Sequence, residues 1–214
     1  VADLSAQRIA TIVDALEHLS SRYGAHELMG RTPMQDALPI PVGARIESWS
    51  LPLARHLQRL EQLKPRLLVL QFGGPVGTLA ELGNKGRKVA TRMAKDLGLG
   101  SPQKSWHTQR DGLAEFASWL SLVTGTLGKM GQDIALMAQA KGEIELSGAG
   151  ASSAMAHKRN PVKAEVLVAL ARHNAGLLAG MHQALVSENE RSGAAWTLEW
   201  LTLPQMVVVT GAAL

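Results

Sequence analysis

The stretch that decides the fold is DGLAEFASWLSLVTGTLGKMGQDIALM, residues 111–137. Leu113, Phe116, Leu120, Val123, Leu127, Met130, Ile134 and Met137 recur at spacings of three and four, so one stripe of a helix stays apolar for about eight turns. A stripe that long needs other long helices beside it. The chain supplies them. Ile9, Ile12, Val13, Leu16 and Leu19 predict a helix over residues 3–23, which Gly24 stops. Ile46, Trp49, Leu53, Leu57, Leu60 and Leu63 predict a second over residues 42–63, kinked near Pro52 and ended by Pro65. Val89, Met93 and Leu97 mark a shorter helix before Gly98. Pro161 suits a first turn, and Leu167, Leu170, Leu177, Leu178, Met181 and Leu185 follow it at helical spacing. A last helix is predicted from residue 194 to the C-terminus, bent at Pro204. Leu67-Leu68-Val69-Leu70, closed by Phe72-Gly73-Gly74-Pro75, reads as a brief strand or extended segment. The expected fold is all-α, an elongated bundle of long helices, with residues 1–214 as one helical-bundle domain. Helices of this length offer more apolar face than one chain covers, which predicts association through them.

Composition narrows the chemistry. The 214 residues contain no cysteine, which removes disulfide scaffolds, thiolate metal sites and thiol nucleophiles together. A reducing, cytoplasmic setting fits that. No apolar run is long enough for a transmembrane helix, and VADLSAQRIATIVDAL at the start is amphipathic instead of signal-like, so no membrane partner is expected. Lys and Arg number 22 against 18 Asp and Glu, a net charge of +4. The basic residues are scattered, and one Tyr with two Phe leaves few rings for stacking bases, so a small anionic ligand is the better partner than nucleic acid. His18, His26, His56, His173 and His182 show no metal-ligand grouping, and no phosphate-binding glycine loop is present, so no metal and no cofactor is implied.

Between residues 141 and 160 the helical period disappears. GAGASSAMAHKRNP, residues 148–161, sets glycines, two hydroxyls, an imidazole, two cations and an amide within a short span. Such a cluster suits a carboxylate or phosphate ligand, with hydroxyls available for proton transfer. A linker whose polar residues face water fits the same composition.

SSAMAHKRNP, residues 152–161, resembles the signature G-S-x-x-M-x-x-K-x-N of the fumarase/aspartase/argininosuccinate lyase superfamily, with Ser152, Met155, Lys158 and Asn160 on its fixed positions. Ala151 stands where the pattern has Gly, and Ala156 where members usually have Pro. GRTPMQDALP, residues 30–39, resembles a second superfamily element, G-R-T-H-x-Q-x-A-x-P, with Arg31, Thr32, Gln35, Ala37 and Pro39 intact. Pro33 replaces the His that other members use in acid–base work. ENERSGAAWTLEW, residues 188–200, is similar to the E-x-E-R-S and W-x-x-E-W segment of the 3-carboxy-cis,cis-muconate cycloisomerase branch, as are FGGPVGTLAELG (72–83) and WHTQRDGLAEFASWL (106–120). That branch also lacks the His at Pro33. Adenylosuccinate lyase is the nearest rival within the superfamily.

The resemblance implies the central helical domain of the fumarase/aspartase-like fold, without the terminal domains of full-length members, assembling as a homotetramer around twenty helices. It implies a cycloisomerase acting on a small polycarboxylate, with negative charge developing on an enolate, or aci-carboxylate. Ser152 is then the expected proton carrier. Lys158 and Asn160 stabilise the substrate carboxylate and enolate, and Arg191 grips a second carboxylate in bidentate fashion. Arg31, Thr32, Gln35, Ser153, His157 and His107 complete the expected binding set, although His157 could only shape its loop and His107 could only cap a helix. The alternatives are a fumarate-releasing lyase and a catalytically silent assembly protein.

Overall fold

The computed structural model describes residues 1–140, 143–146, 150–151 and 159–214. Among them six α-helices dominate: α1 (Ala2–Tyr23), α2 (Val42–Leu67), α3 (Gly86–Leu97), α4 (Asp111–Gln139), α5 (Val162–Gln183) and α6 (Ala194–Ala213). Two antiparallel pairs of short strands join them, β1 (Glu27–Thr32) with β2 (Gln35–Pro41), and β3 (Gly150–Ala151) with β4 (Arg159–Asn160). The all-α expectation holds apart from these pairs. The chain forms two compact units.

The first unit comprises residues 1–58, 121–175 and 209–214. Ile9, Leu53, Val123 and Leu127 are sealed from solvent in its core. Here α2 and α4 run antiparallel, because Trp49 Nε1 donates to Asp133 Oδ2 at 2.6 Å while His56 Nε2 lies 2.9 Å from Thr126 Oγ1. Helices α4 and α5 meet through residues without bulk. Gly128 faces the Cβ of Ala171, and a Cβ added to Gly131 would stand 2.5 Å from the Ala164 carbonyl oxygen. Asn174, fully buried on α5, donates from Nδ2 to Thr210 Oγ1 at 3.0 Å and Thr124 Oγ1 at 3.3 Å, tying three helices together.

The second unit comprises residues 59–120 and 176–208. Leu60, Leu120, Met181 and Met206 fill its core. Arg66 of α2 grips Glu115 of α4 with both forks, Nε to Oε2 at 2.9 Å and Nη2 to Oε1. Gly98 ends α3 in the left-handed region at φ 67°, a conformation most residues reach only with strain.

The structure departs from the sequence reading at Pro65 and at a hairpin that no expectation covers, and it decides the form of residues 67–70. Pro65 does not end α2, which continues to Leu67, and Leu68 N–H still donates to Lys64 O at 2.8 Å. Pro65 withholds its own donor and crowds the Glu61 carbonyl, but this close to the end of the helix the bonds on either side of it, Leu68 N–H to Lys64 O among them, carry α2 past it. Of the two forms expected for residues 67–70, a strand or an extended segment, residues 68–70 take the second. Leu67 belongs to α2, and Val69 makes one isolated parallel bridge to Gly100. The longer strands lie instead at residues 27–41, a hairpin whose outer strand is exposed almost throughout, so it shows no apolar alternation, and whose prolines count against a strand. Its two-residue loop is Pro33-Met34, with Met34 at φ 65°. Pro followed by a positive φ is the backbone of a type II turn.

The close approach of α4 and α5 has a measurable sign. Helix propensity alone makes Gly→Ala stabilising by about 1 kcal/mol, whereas overpacking costs about 1–3 kcal/mol. Gly131→Ala and Gly128→Ala should therefore lower the midpoint of thermal unfolding, while Gly125→Ala, with open space at its Cβ, should raise it.

Candidate active site

Within the second unit a cavity of about 470 Å³ opens between the segment around residue 71, the segment 106–110 and the start of α6. Its walls include Trp106, Trp196, Trp200, Leu203 and Pro204, and its polar groups include Gln71, His107, Arg110, Arg191 and Glu199. The frame is a buried ion pair. Arg110 donates to both oxygens of Glu199, Nε to Oε2 at 2.8 Å and Nη2 to Oε1 at 2.5 Å, with side chains only 13% and 7% exposed. The Arg110 guanidinium also lies 4.7 Å from the Trp106 ring centroid. Trp106 is fixed on its other sides, its indole N–H donating to Leu70 O at 3.0 Å and its backbone N–H to Gln71 Oε1 at 3.0 Å. Gln71 in turn donates to Ser105 Oγ at 3.1 Å.

Arg191 is placed by a local device. Asn189 sits in the left-handed region at φ 48°, which asparagine tolerates better than most residues. Two residues after this turn stands Arg191. Ser192 then caps the first turn of α6, its Oγ accepting from Ala195 N–H at 3.1 Å. The hydrogen bond from Ser192 also holds the Glu188 carboxyl below its ordinary value. Between these anchors Arg191 Nη2 donates to Gly74 O at 3.1 Å and to His107 Nε2 at 3.2 Å, with its guanidinium 5.7 Å from the Trp196 ring. Every one of these partners is neutral. Both Nη2 hydrogens are engaged, so the bidentate grip that the resemblance implies would require one of these bonds to open. Because an arginine only donates, His107 Nε2 must accept, and the ring is neutral with its proton on Nδ1. Burial first, then the charges of Arg191 and Arg110, hold the His107 pKa below its ordinary 6.5.

Of the other expected site residues, Arg31, Thr32, Gln35 and Asn160 belong to the first unit. Arg31 is in β1, and Thr32 and Gln35 face each other across the hairpin turn. Arg31 is taken up by carboxylates of its own chain, Asp36 at 2.8 Å and Glu143 at 2.6 Å. Asn160 ends β4, paired with Gly150. Ser152, Ser153, His157 and Lys158 lie outside the described residues. The structure thus brings His107 and Arg191 into contact, and joins Arg31 to the α4–α5 connection through Glu143. Sequence reasoning assigned no role to Gln71, Trp106, Arg110 or Glu199. Arg110 and Glu199 stand 89 positions apart, a separation at which no local pattern announces a pair.

A mainly helical protein with an arginine held by neutral groups beside a tryptophan-walled cavity is a fit scaffold for binding small anions, and comparison with known proteins gives the family. The profile of a family described as lyase matches residues 3–176, and the chain belongs to that family. A 3-carboxy-cis,cis-muconate cycloisomerase of Pseudomonas aeruginosa is 46% identical over 97% of this chain and 46% of its own length. One from Acinetobacter baylyi is 42% identical over 90% of this chain and 44% of its own length. The crystal structure of the 3-carboxy-cis,cis-muconate lactonizing enzyme from Pseudomonas putida superposes with a TM-score of 0.91 at 43% identity, covering 99% of this chain and 47% of that one. The chain therefore spans about half the length of the relatives it matches.

Removing one partner of the buried pair exposes its cost. Glu199→Gln leaves the Arg110 guanidinium buried without a counter-charge and should destabilise by about 3–5 kcal/mol in chemical denaturation, whereas Arg110→Met with Glu199→Leu should recover most of that loss.

Proposed function

We propose that the protein to which this chain belongs is a 3-carboxy-cis,cis-muconate cycloisomerase. It forms 4-carboxymuconolactone in the protocatechuate branch of the β-ketoadipate pathway. The observation that carries this is the Arg191 cation, held by neutral groups alone at a cavity, in a chain 40–46% identical to three enzymes of that name.

The reaction adds an oxygen of one substrate carboxylate across a double bond and closes a γ-lactone. The neighbouring carbon, alpha to another carboxylate, gains a proton. Between these events negative charge spreads into an aci-carboxylate, and donors aimed there lower the barrier. Arg191 binds one carboxylate. Lys158 and Asn160 stabilise the developing dianion, and Ser152 carries the proton. Thr32, Gln35, Ser153 and His157, with Arg31 exchanging a carboxylate of its own chain for one of the substrate, orient the remaining carboxylates, and the hairpin, the 152–160 segment and Arg191 that meet at one site each come from a different copy of the chain. Fixed cations are required because a trianion in a site that excludes water costs several kcal/mol for each unpaired carboxylate.

In this proposal residues 1–214 supply the central helical bundle of a larger cytoplasmic enzyme, and four copies pack their helices into one twenty-helix core. Supporting the assembly are exposed apolar side chains on the helices, among them Leu122, Val162, Val166, Leu201 and Val208, each at least 48% exposed. No described helix is long and apolar enough to cross a membrane.

Loss of the conjugated diene absorbance of 3-carboxy-cis,cis-muconate follows turnover directly. Arg191→Met should lower it about 100- to 1000-fold with helical content unchanged, and light scattering should give four copies per particle. Turnover of adenylosuccinate with none of the muconate would replace the proposal with the fumarate-releasing lyase.

A further inference from the structure

We infer that His107 is a positioning residue for Arg191, a neutral acceptor that fixes the direction of the guanidinium against the cavity, and does not itself bind the substrate. The inference rests on the proposed role of Arg191 as a carboxylate ligand, and its basis is geometric. Arg191 begins in a loop and is exposed, so its long side chain has rotamer freedom to lose. Two acceptors remove that freedom at one nitrogen, Gly74 O at 3.1 Å and His107 Nε2 at 3.2 Å from Nη2. Nη1 and Nε are left to meet an anion.

His107 suits this task because its own place is set from elsewhere. The preceding residue, Trp106, is held at its backbone by Gln71, at its indole by Leu70 and on its ring face by Arg110, which Glu199 locks. The imidazole Nδ1 is buried and has no hydrogen-bond partner among the described residues. The ring therefore makes one directional bond, to Arg191. A ring that served substrate as an imidazolium acid would need its charged form, and burial and the two neighbouring arginines oppose that form. A neutral acceptor beside a cation needs no such change of state.

Three variants and one spectrum test this. His107→Phe removes the acceptor while keeping a ring, and should raise KM for 3-carboxy-cis,cis-muconate about 10- to 100-fold, with a smaller change in kcat, since misplacing a binding group by about 1 Å is worth up to 100-fold. His107→Gln, whose amide oxygen can reach as Nε2 does, should recover most of that loss. In an Arg191→Met background His107→Phe should change nothing further, because there is no guanidinium left to position. Independently of turnover, ¹⁵N spectra of histidine-labelled protein, assigned by the signals lost in His107→Gln, should show Nδ1 protonated and Nε2 bare, and Arg191→Met should shift the ring toward the Nε2-protonated form. A wild-type ring protonated at Nε2, or losses from His107→Phe and Arg191→Met that multiply, would overturn the inference. If the wild-type protein did not turn over the muconate, the cycloisomerase proposal would fall, and the spectrum alone would decide whether His107 holds Arg191.

Discussion

An apolar stripe eight turns long cannot be left in water, and α4 carries one. Leu120, Val123 and Leu127, on three successive turns, are at most 1% exposed. Burying each side chain of this size contributes about 1.5–3 kcal/mol. Covering such a stripe fixes what α2, α5 and α6 must do. They must be long, they must lie nearly along α4, and where they come closest their side chains must be small. The glycines at 128 and 131, set against Ala171 and Ala164, satisfy the last condition. The polar groups that the helices enclose are then obliged to find one another, as Asn174 does with Thr124 and Thr210.

The same enclosure makes the Arg110 and Glu199 pair possible. Two charges this deeply buried are costly unless each satisfies the other, and the two-pronged contact does so. Their value lies in rigidity. Arg110 is immobile because Glu199 is, Trp106 is flanked by an immobile cation, and His107 follows Trp106 in the chain. Arg191, by contrast, has only neutral partners, so its charge remains available. At the cavity the chain thus sets an arginine held by neutral groups, Arg191, beside one neutralised by a carboxylate, Arg110, as Arg31 and Arg66 are elsewhere. Charge composition cannot separate these kinds, since all four contribute equally to the net charge.

Helix positions are legible in the sequence because period and punctuation act locally. Gly24, Gly98 and Pro161 stop or start helices where a sequence reading puts them, and the apolar spacings of α4 carry through to its buried face. The hairpin at residues 27–41 is not legible in the same way. Only Leu28 and Gly30 of β1 are buried, and β2 is nearly bare, so the strands are held by their mutual backbone bonds and leave no alternating pattern. Arg191 and His107 are legible as chemistry through the family resemblance, but their contact is not, because 84 positions separate them and only the folded chain closes that distance.

A two-stranded hairpin with so little apolar burial has small intrinsic stability, since an isolated pair of strands is marginal in water. Arg31, Thr32 and Gln35 therefore ride on an element with little packing of its own, tied to the α4–α5 connection by the ionic contact of Arg31 to Glu143. Arg191 rides beside a clamp of buried charge and stacked tryptophan. Native-state hydrogen exchange ranks such elements by the free energy of their local opening. On that scale the residues proposed to meet the substrate divide into a set on a hairpin of low local stability, where shape adapts readily, and a set beside the buried ion pair, where it does not.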